Sequence, residues 1–82
     1  MLNLQRVNTF LTRLGFNVDL GKAENGEPAL TAKLATVRGD IIVFAMAGGA
    51  RISKPNGTAK YYYEVSDAKF AQYVRQILAA NK

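Results

Sequence analysis

The chain has 82 residues, 49% of them apolar and 21% charged, which suits one globular domain over residues 1–82 and excludes wholesale disorder. It contains no cysteine and no histidine, so disulfides, zinc sites, Ser-His-Asp and Cys-His nucleophile systems and imidazole acid–base catalysis are all removed. Eleven basic and six acidic side chains give +5 and a pI near 9.8, a balance that favours an acidic partner.

Asn3 is placed to cap a first helix over Leu4 to Leu14. Leu4, Val7, Phe10, Leu11 and Leu14 follow the spacing of one buried helical face, and Gly15 is a natural stop. Residues Phe16 to Leu20 then alternate, with Phe16, Val18 and Leu20 expected on the buried side of a first strand. Asn25-Gly26 favours positive φ at both central positions and predicts a tight two-residue hairpin into a second strand over Ala29 to Val37.

The stretch Asp40-Ile-Ile-Val-Phe-Ala-Met-Ala47 organises the rest. It is apolar on both alternating faces, which predicts a central strand covered on both sides. Residues 48–57 allow two readings, a short edge strand between Gly48-Gly49 and Asn56-Gly57 turns, or one long basic loop. A last strand, Ala59 to Val65, places Ala59, Tyr61, Tyr63 and Val65 on one face and Lys60, Tyr62 and Glu64 on the other. Ser66 is placed to cap a C-terminal helix whose buried stripe is Phe70, Tyr73, Val74, Ile77 and Leu78. The expected fold is a two-layer α+β domain, with an N-terminal helix, an antiparallel meander of four to five strands and a C-terminal helix.

Charge is unevenly spread. Residues 19–27 hold three acids against Lys22, whereas residues 28–63 hold Lys33, Arg38, Arg51, Lys54 and Lys60 against Asp40 alone. Cations interleaved with tyrosines on a sheet suit phosphates and unpaired bases. The candidate binding residues are therefore Lys33, Arg38, Arg51, Lys54, Lys60 and Tyr62, with Tyr62 and Lys60 sharing a solvent face while Tyr61 and Tyr63 roof the core.

The leading expectation is a non-enzymatic module that binds nucleic acid, single strands included, without a cofactor. The alternative is a protein-interaction module, such as a small inhibitor or accessory protein of viral or mobile-element origin, docking on an acidic partner surface. A homodimer fits either. Asp40 and Glu64 could begin a metal-dependent nuclease site, but Glu64-Val65-Ser66 lacks the lysine that such a second strand carries. The strand order with a closing amphipathic helix resembles, in topology, one class of single-stranded-DNA-binding modules, and no motif of that class is present. The amphipathic N-terminus and the absence of a long apolar run argue against a signal peptide or a membrane span, which suits the cytoplasm.

Overall fold

The computed structural model describes residues 1–81. Helix α1 (Leu4–Arg13) is followed by strands β1 (Asn17–Lys22), β2 (Pro28–Thr36), β3 (Gly39–Met46), β4 (Gly49–Ser53) and β5 (Ala59–Tyr63), then helix α2 (Asp67–Ala80). The strands form one antiparallel sheet in the order β1-β2-β3-β4-β5, so each strand pairs with its neighbours in sequence. The segment 48–57 is thus neither a long loop nor an edge. Its first half is β4, paired on both sides, and β5 takes the edge.

Both helices cover the same face of the sheet. The core between the layers joins Leu2, Val7 and Leu11 of the N-terminal segment to Leu30, Ala32, Ile41, Val43, Ala45 and Ile52 of the sheet. Phe70, Val74 and Ile77 of α2 complete it. Phe10 and Phe70 meet edge to face between the helices, with ring centroids 6.5 Å apart. Leu20 shares the helix-side parity but remains 60% exposed, contrary to the sequence expectation. It sits on edge strand β1, where no second neighbour helps to cover it.

The two helices begin at the same end of the sheet. The Leu2 N–H donates to the Ala47 carbonyl, and the Asn3 N–H donates to the Asp67 carboxylate at 2.9 Å. Asn3 and Ser66 cap α1 and α2 by accepting from the Arg6 and Lys69 amides. We call this end, with the β1–β2 and β3–β4 turns, the proximal end. The β2–β3 and β4–β5 turns and the helix C-termini mark the distal end.

Two turns at opposite ends have the same construction. In residues 23–27 the Ala23 N–H donates to the Glu27 carbonyl, the Gly26 N–H to the Ala23 carbonyl, and the Glu27 N–H to the Asn25 side chain. Residues 54–58 repeat all three bonds, from Lys54 to Thr58, Gly57 to Lys54, and Thr58 to the Asn56 side chain. Only the glycine of each Asn-Gly pair has a positive φ, +83° at Gly26 and +87° at Gly57. These are type I turns closed by a left-handed glycine, one residue longer than the two-residue hairpins expected from Asn-Gly. Each asparagine keeps a negative φ while its side chain accepts from the amide two residues on.

Candidate binding interface

The extra turn residue decides which side chains face solvent. Lys54 and Thr58 close the β4–β5 turn, so Ser53 pairs with Ala59, Ile52 with Lys60, Ala50 with Tyr62 and Arg51 with Tyr61. Ile52 is fully buried under the helices, so Lys60 and Tyr62 share its face and Tyr61 and Tyr63 point the other way. This reverses the sequence expectation for β5. Tyr62 is half-buried and lies stacked on Tyr73 of α2, with ring centroids 4.4 Å apart and planes 19° from parallel. Burial raises the pKa of its hydroxyl above the ordinary 10.0, and Tyr73 adds to the shift. Tyr62 is therefore a packing residue rather than a stacking platform, and Lys60 lies beside it at the sheet edge.

The face that no helix covers carries a different set. One row across the sheet reads Asp19, Thr31, Phe44, Arg51 and Tyr61; the next reads Asn17, Lys33, Ile42, Ser53 and Ala59. Met46, Gly49 and Tyr63 form a third. Tyr61 and Tyr63 are 57% and 76% exposed and lie nearly parallel, with centroids 6.4 Å apart and planes 8° from parallel. The Arg51 guanidinium sits 5.8 Å from the Phe44 ring centroid, within reach of a cation–π contact. A shallow cavity of about 450 Å³ opens here, lined by Phe44, Met46, Arg51, Tyr61 and Tyr63, with Glu27 of the β1–β2 turn at its rim.

Gly49 sets the floor of that cavity. A Cβ there would run into the Tyr62 carbonyl oxygen and come within 3.3 Å of the Tyr63 Cα. A glycine lets β4 and β5 approach closely enough to seat Tyr63 above it.

The charges on this face balance. By register, Lys33 and Arg51 share it with Asp19 and Asp40, and the Lys33 ammonium pairs with the Asp40 carboxylate at 3.3 Å. Arg38 and Lys54 lie in the two distal turns, off the face. The six residues singled out in the sequence therefore do not converge. Lys33 and Arg51 are on the open face, Arg38 and Lys54 at its distal end, and Lys60 and Tyr62 on the helix side. Tyr61 and Tyr63, expected to roof the core, instead join Phe44, which had no expected binding role, as the aromatic part of the open face.

Asp40 opens β3 at the distal end, whereas Glu64 follows β5 at the proximal end, so the two do not form a metal pair. Among the described residues no three acidic side chains gather as a metal site. No helix among them is long and apolar enough to cross a membrane.

Comparison with protein-family models, with curated proteins and with solved structures finds no match for this chain.

Proposed function

We propose that this chain is a non-enzymatic binding module that docks a protein partner on its open sheet face. One observation carries the reading. Strand β3 has the composition of a strand covered on both sides, yet the chain covers only one. Ile41, Val43 and Ala45 are buried under the helices, while Ile42, Phe44 and Met46 face outward and are only half-covered by their neighbours.

The residues around that apolar strip fit protein recognition. Tyrosine, phenylalanine, methionine and arginine are enriched at the centres of protein interfaces, and uncompensated charge is depleted there. Phe44, Met46, Arg51, Tyr61 and Tyr63 supply the first set, and the balance of Lys33 and Arg51 against Asp19 and Asp40 supplies the second. A balanced face also offers little attraction to a phosphate backbone, which needs several unpaired cations. The fitting partner presents an apolar or aromatic projection to the Phe44–Tyr63 cavity, with mixed charges around it.

The test uses the tagged chain on nuclease-treated lysate, beside the variant Tyr61→Ala/Tyr63→Ala. One stoichiometric protein held by the wild type and lost by the variant is the expected result, with at least a tenfold loss of affinity when the purified pair is titrated. Sedimentation of the chain alone checks for a homodimer on the same face. If partner binding or dimerisation survives the double substitution, the open face is not the docking surface.

A further inference from the structure

Most of the basic surplus among the described residues lies on the opposite side of the molecule from the open face. On the helix layer stand Arg6 and Arg13 of α1 and Lys69 and Arg75 of α2, against the single acid Asp67. Three of these cations line one concave surface. A depression of about 710 Å³ runs along α1 and is bounded by Arg6, Arg13, Arg75 and Phe10, with the polar side chains of Gln5 and Thr9 among its walls. Among the described residues no carboxylate lines it, and Asp67 lies just outside, against Arg6.

The helices fix this arrangement. Arg6, Phe10 and Arg13 are spaced i, i+4 and i+7, so they fall along one face of α1, with Arg6 and Arg13 about 10 Å apart along the axis. Arg75 reaches across from α2, and its guanidinium lies 5.2 Å from the Phe10 ring centroid. Arg6 touches Asp67 only at 3.9 Å, with its side chain 79% exposed, so this pair is weak and open to competition.

We infer that the Arg6–Arg13–Arg75 groove is a second binding site, separate from the open sheet face, that takes the phosphate backbone of a nucleic acid. The groove offers a phosphate backbone both complementary charge and matching donor chemistry. All three cations are arginines, whose planar guanidinium forks match phosphate oxygens two at a time. Their axial spread of about 10 Å equals roughly three nucleotide rises of a B-form strand, at 3.4 Å each. The groove is wide and open, which suits an extended polymer better than a small anion. Binding there is independent of base sequence, because no side chain is committed to a base edge. The inference does not rest on the protein-docking reading, since the two surfaces lie on opposite layers.

The experiment is fluorescence anisotropy of the intact chain with a labelled 20-nucleotide single strand and the corresponding duplex, titrated at two salt concentrations. Three neutralised phosphates give a log–log salt slope of about −2 for the single strand and about −3 for the duplex. Arg6→Gln/Arg13→Gln/Arg75→Gln should weaken binding at least tenfold and flatten that slope, whereas Tyr61→Ala/Tyr63→Ala should leave both unchanged. Matching far-ultraviolet circular dichroism and melting temperature show that the triple variant is folded; should it unfold, the single variant Arg13→Gln, far from both helix N-termini, replaces it with an expected two- to threefold loss. Absence of binding at low salt overturns the inference. So does binding lost in the tyrosine variant instead, which would place the strand on the sheet, or equal binding of a poly-glutamate peptide, which would make the groove a site for acidic protein segments.

Discussion

Adjacent glycines at 48 and 49 should respond to the same substitution in opposite directions. At Gly49 an added methyl meets the Tyr62 backbone carbonyl, and backbone cannot rotate aside as a side chain could. Strands β4 and β5 must separate locally, at a cost in the range of overpacked cores, about 1–3 kcal/mol. For a domain of this size each kcal/mol moves the midpoint by about 4–8 °C, so Gly49→Ala should lower the melting temperature by about 5–20 °C. At Gly48 nothing lies within 4 Å of an added Cβ, and its φ is not in the left-handed region. There Ala mainly restricts the unfolded chain, which stabilises by about 0.4–1 kcal/mol, or about 2–8 °C. Thermal melts of both variants followed by circular dichroism decide the matter. Equal shifts, or a Gly49→Ala protein as stable as wild type, would refute the close approach of β4 and β5 and with it the floor of the Phe44–Tyr63 cavity.

Three further outcomes follow from other sites. Tyr62 has a raised pKa in the fold, so the stability it contributes is complete below about pH 10 and is lost as pH rises through the folded value; Tyr62→Phe should remove this part of the alkaline decline in denaturant midpoints measured between pH 8 and 11. Glu64 is the one non-glycine residue with positive φ, at 53°, among the described residues, and Asn tolerates that conformation better. Glu64→Asn should raise stability by about 0.5–1 kcal/mol in urea unfolding, and a loss would show that the Glu64 side chain has a stabilising contact. Asp67 accepts the Asn3 amide and sits in the first turn of α2, so Asp67→Ala should cost about 1–2 kcal/mol and speed amide exchange at Asn3.

The sequence made the elements and their order legible because the helical and strand periods are clean. Asn3 and Ser66 as caps, the stripes on α1 and α2, and β3 as the central strand stand where the pattern put them, although β3 is covered on one face and not on both as its composition predicted. The parity of β5 was not legible from its composition. Lys60-Tyr-Tyr-Tyr-Glu64 has no apolar–polar alternation, so the turn before it alone sets which residues face in. A two-residue Asn56-Gly57 turn would have set Tyr61 opposite Ile52 and buried it. The longer turn sets Lys60 there and turns every side chain of the strand over. The usable signal was Tyr73, an amphipathic ring in the buried stripe of α2 that needed a partner, and Tyr62 is that partner. The charge arithmetic misled for a related reason. Residues close in sequence on a meander alternate between faces, so a basic segment does not make a basic face.

Because strand order equals chain order, every strand pairing closes through a connection of only two or five residues. The sheet can therefore assemble by successive hairpins, with little loop-closure entropy to overcome before each contact forms. The tie that spans the chain is the proximal latch, where Asn3 meets Asp67 across 64 positions. In kinetic terms the meander belongs early in folding and the latch late. Weakening the β2–β3 hairpin should slow folding, whereas weakening the latch should leave folding alone and quicken unfolding.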